Sequence, residues 1–109
     1  MSFIKVSDIK PREIVAGFQG RFIHSEHVSI AYWDISSGAS IPVHSHVHEM
    51  IVNVISGKLQ LTIGHETKVL EPGMAAVIPS QIPHTATAIT DCKIMDVFYP
   101  LREDYYNLS

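Results

Sequence analysis

Three histidines set the chemistry open to this sequence. His44 and His46 stand two residues apart in Gly38-Ala-Ser-Ile-Pro-Val-His44-Ser-His46-Val-His48-Glu49, and His84 closes Gly73-Met-Ala-Ala-Val-Ile-Pro79-Ser-Gln-Ile-Pro-His84. Side chains two apart on a strand leave the same face of the sheet, so the spacing predicts His44 and His46 stacked along one side. His84 follows a Pro-punctuated apolar stretch, from which a neighbouring strand presents a third imidazole to the same point. Imidazole is a common metal ligand, and three protein ligands leave one coordination position free for water or substrate, as catalytic sites require. The competing reading is a surface cluster, because seven histidines in 109 residues make chance neighbours easy.

The elements that must position these residues are strands. From Val28 onward, extended segments alternate with turn signals at short intervals, the pattern of an all-β sandwich or barrel. Val28 to Ile35 is closed by Ser36-Ser-Gly38, and Met50 to Ile55 by Ser56-Gly57. Lys58 to Ile63 alternates strictly, with Leu59, Leu61 and Ile63 opposed to Lys58, Gln60 and Thr62; the polar side faces either solvent or a barrel lumen. Gly64-His65 makes a hairpin turn, Thr67 to Leu70 returns, and Ala75 to Ile78, Thr85 to Ile89 and Lys93 to Tyr99 complete the series. Before Val28 the pattern is weaker: Lys10-Pro-Arg-Glu starts a short helix or turn, and Ile14 to Ile23 adds an edge strand. The tail after Pro100 leaves the sheet as a turn or short helix, packing across the barrel or against a partner.

Composition narrows the classes. One chain of 109 residues corresponds to one domain, residues 1–109. The formal charge of −3 carries no basic run, so nucleic acid is not an expected partner. Cys92 is alone, and the first residues lack the apolar core of a signal peptide, which makes the cytoplasm the expected location. The apolar runs are far too short to cross a bilayer, so no membrane association is expected.

Gly38, His44, His46 and Gly57, followed by Gly73, Pro79 and His84, resemble the two motifs of the cupin family, covering about residues 38–99. The resemblance implies a cupin jelly-roll β-barrel, one divalent transition metal (zinc, nickel, iron, manganese or copper) in the lumen, and a homodimer. Gln81 and Ala88 stand where the family commonly has Gly and Asn. A larger departure is Met50, four residues after His46, where the family usually places Glu, Gln or His. Met50 is therefore a provisional fourth metal position whose soft thioether favours softer metals, or else a pocket-lining filler with water in its place. Glu49 is an alternative ligand only if a bulge intervenes, since it otherwise points to the opposite face; His48 belongs to the lumen or its rim, and His24, His27 and His65 are expected in solvent.

A narrower resemblance joins His44-Ser-His-Val-His-Glu-Met50 to Met95-Asp96-Val-Phe98-Tyr-Pro-Leu-Arg102-Glu-Asp-Tyr. Both segments are similar to those of KdgF-type pectin-degradation cupins, which convert unsaturated uronates from polysaccharide lyases into linear keto forms. It implies catalytic roles for Asp96, Phe98 and Arg102 and a small acidic carbohydrate as substrate. Asp96 and Phe98 share one face of a strand, and a carboxylate beside an aromatic ring in a barrel is an unusual pair to bury. Asp96 can move a proton, and Arg102 can hold a substrate carboxylate at two points. Otherwise Asp96 pairs with Arg102 and fastens the tail. The alternatives to ring opening and ketonisation are a metal-dependent dioxygenase and a non-catalytic sugar-acid binding barrel.

Overall fold

The computed structural model describes residues 2–108. Among them lie a 3-10 turn at Val6–Asp8 and ten strands: β1 (Arg12–Val15), β2 (Phe18–His24), β3 (Ser29–Ile35), β4 (Ser40–His44), β5 (Glu49–Ser56), β6 (Leu59–Ile63), β7 (Glu66–Leu70), β8 (Ala75–Ile78), β9 (His84–Ala88) and β10 (Cys92–Tyr99). A short helix, α1 (Glu103–Tyr106), follows. The strands form a six-stranded sheet, β1-β2-β3-β10-β5-β8, and a four-stranded sheet, β4-β9-β6-β7. Every pairing is antiparallel.

Period-two patterning decides which face is buried. In β3, Ala31, Trp33 and Ile35 turn inward between the half-exposed Ile30, Tyr32 and Asp34. In β6, Leu59 and Leu61 are buried and Gln60 is exposed, so the polar side of that strand faces out rather than into the lumen. Inward residues of both sheets meet in one core that includes Phe22, Val52, Leu61, Ile78, Ile94 and Phe98. Burying each aliphatic or aromatic side chain of this kind contributes about 1.5–3 kcal/mol.

The amino-terminal third departs from the expectation. Residues 14–23 do not form one edge strand: Gly17, at φ +84°, turns the chain into the β1–β2 hairpin. A Cβ at Gly17 would sit 2.6 Å from that of Ala39, so a side chain there meets both strain and a clash. Lys10-Pro11 starts no helix and leads into β1 at Arg12, and the helical turn comes earlier, at Val6–Asp8. The tail behaves as expected and packs back on its own barrel. Tyr105 of α1 is buried, stacks on Phe22 with centroids 4.5 Å apart, and meets Trp33 and Phe98 edge-on.

Candidate metal centre

His44 is the last residue of β4 and His84 the first of β9, and the two are paired in register after an irregularity between Ile41 and His44. Strand pairing thus supplies the third imidazole. His46 differs from its expected position: β4 ends at His44, so His46 lies on the loop to β5 and strand parity does not aim it. The loop is aimed instead by bonds. Gln81 donates its N–H to the His46 carbonyl at 2.8 Å, Ser80 Oγ donates to the Val47 carbonyl at 2.6 Å, and His48 Nε2 donates to the Leu101 carbonyl at 3.2 Å. Gln81 does this at φ +66°, in the left-handed region glycine favours, which accounts for the glycine common at that family position.

The three rings converge, with centroid separations of 4.2 Å for His44–His84, 4.9 Å for His46–His84 and 5.6 Å for His44–His46. Each Nδ1 is held by a backbone carbonyl two residues away: His44 by Pro42 at 2.8 Å, His46 by His48 at 2.9 Å, His84 by Ile82 at 2.8 Å. A carbonyl only accepts, so each Nδ1 carries a proton, and in the neutral ring that leaves the lone pair on Nε2. Nε2 of His46 and of His84 is buried without a hydrogen-bond partner. Ligand atoms of the three residues lie within 4.8 Å of one another. Oriented, neutral and otherwise unsatisfied donors of this kind fit a metal ion, the carbonyls fixing tautomer and ring angle. Burial, reinforced by the Arg102 charge, lowers the pKa of His46 from 6.5 to about 4, and burial also lowers that of His84. Both rings therefore stay neutral at physiological pH.

Met50, on the inward face of β5, is buried opposite Phe98 and Ile78. It lines the same cavity as the three histidines, Asp96, Phe98 and Arg102, whose remaining wall is mainly apolar. Asp96 Oδ2 accepts a hydrogen bond from Trp33 Nε1 at 3.1 Å, and Oδ1 is buried without a partner. Burial raises the pKa of this carboxyl from 3.8 to about 7, against the opposing pull of the Trp33 bond and the Arg102 charge.

Arg102 does not pair with Asp96. Its Nε and Nη2 donate to the two carboxylate oxygens of Asp104, at 2.9 and 2.7 Å, and its guanidinium lies 4.7 Å from the Phe98 ring centroid and 4.0 Å from that of Tyr105. Burial works against the Arg102 charge, but Asp104 and Tyr105 outweigh it and raise the pKa; Arg102 in turn lowers that of Asp104. The reading in which an Asp96–Arg102 ion pair fastens the tail is thus replaced by one in which Asp104 braces the arginine.

The remaining histidines divide. His27 and His65 are exposed, as is Glu49 on the outward side of β5. His24 corrects the expectation of solvent exposure. It is half-buried, its Nδ1 shares a hydrogen bond with Ser29 Oγ at 2.8 Å, and that oxygen accepts the Arg102 N–H at 2.8 Å. Sequence reasoning missed Trp33, Ser29, Asp104 and Tyr105. One available signal was that a buried indole N–H requires an acceptor, which Asp96 supplies.

A protein-family model described as a cupin domain matches residues 31–98, more than half of the chain. The chain belongs to the cupin family. Among solved structures, this cupin is similar to an RmlC-like cupin from Shewanella frigidimarina at 24% identity, with 96% of each chain covered and a TM-score of 0.91. It is also similar to KdgF from a Halomonas species at 27% identity, covering 96% of this chain and 98% of that one, with a TM-score of 0.90. An uncharacterised protein of Streptomyces coelicolor is 24% identical over 81 residues, 73% of this chain and 77% of its own. Fold and family together make it a small cupin of KdgF-like architecture whose three histidines can hold a metal ion.

Proposed function

We propose that this cupin is a metal-dependent lyase- or isomerase-like enzyme that opens the ring of a small unsaturated uronate, as released from pectin or alginate, to its linear keto acid. The observation that carries the reading is the convergence of His44, His46 and His84, a carboxyl raised to about 7 at Asp96, and Arg102 on one cavity. The likeness to KdgF over nearly the whole chain supports the substrate class.

Residues His44, His46 and His84 would hold the ion, with Met50 at the wall beside them as a provisional fourth position. When bound, a divalent metal polarises an oxygen of the substrate as a Lewis acid. Arg102, pre-set by Asp104 and flanked by Phe98 and Tyr105, engages the carboxylate in charge-assisted hydrogen bonds. Phe98 packs on the sugar carbons. In the reaction the anomeric hydroxyl loses its proton as the bond from the ring oxygen to that carbon breaks, giving an aldehyde and an enol. The enol then takes a proton at the alkene carbon that does not bear the oxygen and gives up its hydroxyl proton, becoming the ketone. Asp96, with a pKa near neutrality, accepts and returns a proton with little cost in either direction.

The test is to supply purified lyase products to metal-loaded protein and follow the ultraviolet absorbance of the conjugated double bond. The reading predicts loss of that absorbance well above the buffer rate. No acceleration contradicts it, and oxygen consumption or tight binding without turnover would favour the dioxygenase or the binding barrel.

A further inference from the structure

The arginine of the cavity springs from a stretch of chain that no strand ladder holds. β10 ends at Tyr99 and α1 begins at Glu103, so Leu101 and Arg102 lie in neither element. Backbone polar groups shielded from water need partners, and the peptide unit joining these two residues finds both of its own in side chains from distant parts of the sequence. Its carbonyl, on Leu101, accepts from His48 Nε2 at 3.2 Å; its N–H, on Arg102, donates to Ser29 Oγ at 2.8 Å. His48 lies on the loop between β4 and β5, and Ser29 opens β3. Both holders are themselves held. Ser29 is buried, and its hydroxyl shares a further hydrogen bond at 2.8 Å with Nδ1 of the half-buried His24. The loop that bears His48 is pinned at His46 and Val47 by Gln81 and Ser80.

We infer that His48 and Ser29 are positioning residues for Arg102: by gripping the two polar atoms of one peptide unit, they fix the plane from which the guanidinium is aimed at the cavity. His48 also acts in a second direction. Its backbone carbonyl holds Nδ1 of His46 at 2.9 Å while its ring holds Leu101. The spacing between the histidine loop and the arginine, which a substrate touching both must match, is therefore set by one side chain and its own backbone. The His48 ring stands outside the ligand set. In His44, His46 and His84 a carbonyl occupies Nδ1 and leaves Nε2 free, whereas in His48 a carbonyl occupies Nε2. Mutation can separate the two tasks: removing the ring releases the peptide that carries Arg102 and leaves the backbone bond to His46 in place. The inference rests on the substrate-binding role proposed above for Arg102.

The test compares His48→Ala and His48→Gln with the wild type, each loaded with zinc and checked for native fold. Glutamine places an amide N–H near the position of Nε2, so it should restore what alanine removes. In His48→Ala, hydrogen exchange at the Arg102 backbone amide should quicken by about 10-fold, the effect of losing one ordinary hydrogen bond. The Arg102 Nε–H resonance should shift or broaden at the same time. KM for purified lyase products should rise by about 5–10-fold with a smaller change in kcat, the mark of lost substrate binding. Zinc content should stay at the wild-type value. An unchanged Arg102 amide and Nε–H signal in folded His48→Ala overturns the inference; so does loss of zinc, or an unchanged KM with stability alone reduced. A wild type without turnover contradicts the proposed reaction, and the two resonance readouts then still decide whether His48 positions Arg102. If His48→Ala fails to fold, Ser29→Ala, which opens the other side of the same peptide unit, is read in the same way.

Discussion

Asp96 and Arg102, the two charged groups of the cavity, are paired with other residues and not with each other. Trp33 satisfies one oxygen of the aspartate, and Asp104 holds the arginine at two points. Each group therefore faces the cavity in a state set by its surroundings: a carboxyl with a pKa of about 7 and a fixed positive charge. A direct ion pair would have driven the carboxyl to permanent ionisation and removed it from proton transfer near neutrality.

Asp96→Asn is expected to lower kcat by about 10²–10⁴-fold, the usual share of a positioned acid or base. Its stability signature is separate. In the metal-free protein the folded carboxyl holds its proton up to about pH 7, against 3.8 ordinarily, so the folded state binds more protons in that window and stability falls as pH rises through it. The variant lacks this loss. It should match the wild type near pH 4 and exceed it near pH 8 by at most about 4 kcal/mol in urea unfolding, taking 1.36 kcal/mol per unit. Equal differences at both pH values would contradict the assigned ionisation.

Arg102→Lys keeps the charge but loses the planar two-point geometry and the ring contacts. KM for the acidic substrate should rise by about 10–100-fold with a smaller change in kcat. Asp104→Asn, which frees the guanidinium without removing it, should give a rise of only about 3–10-fold. Steady-state kinetics on both variants, beside their melting temperatures, separate substrate binding from a purely structural role.

Metal retention should extend below the ordinary imidazole range. Neutral His46 and His84 would bind the ion, and burial keeps both rings neutral to lower pH than free imidazole, His46 to about 4. Protons therefore compete only as pH falls from about 6.5 toward 4. Zinc content after dialysis should be unchanged near pH 6.5 and lost within that window. A midpoint at or above the free imidazole pKa of about 6.5 would contradict the neutral, buried geometry.

Met50 lines the wall at the position where the resemblance leads one to expect a Glu, Gln or His ligand. Met50→Leu should leave one zinc per chain, because three imidazoles suffice. Met50→Gln adds a carbonyl oxygen at the same position and should tighten manganese binding by about 10-fold, following the preference of harder ions for oxygen. Metal titrations of both variants check the pair. Loss of zinc in Met50→Leu would instead make the thioether an essential ligand.

Much of this arrangement was legible in the sequence because it rests on local signals. The strands after Val28 follow from alternation and turns, and the convergence of His44 with His84 from motif spacing; both agree with the β4–β9 register. Features set by distant pairing were not legible. Trp33 reaches Asp96 across 63 residues only because β3 and β10 are neighbours, and nothing local announces that bond. The β1–β2 hairpin was misread because Gly17 interrupts an otherwise strand-like run. His46 was placed on a strand because parity arguments assume a strand that continues, whereas β4 stops two residues short. The His24–Ser29–Arg102 chain depends on where the tail folds back, which a periodicity argument does not describe.

The most direct test of the metal centre is elemental analysis of purified protein, wild type beside His84→Ala, with folding verified for both. The account predicts about one transition-metal ion per wild-type chain and a nearly empty variant, since the imidazoles of His44 and His46 alone cannot replace the buried third. Equal metal content in the two proteins, or none in a wild type loaded and dialysed at neutral pH, would contradict it.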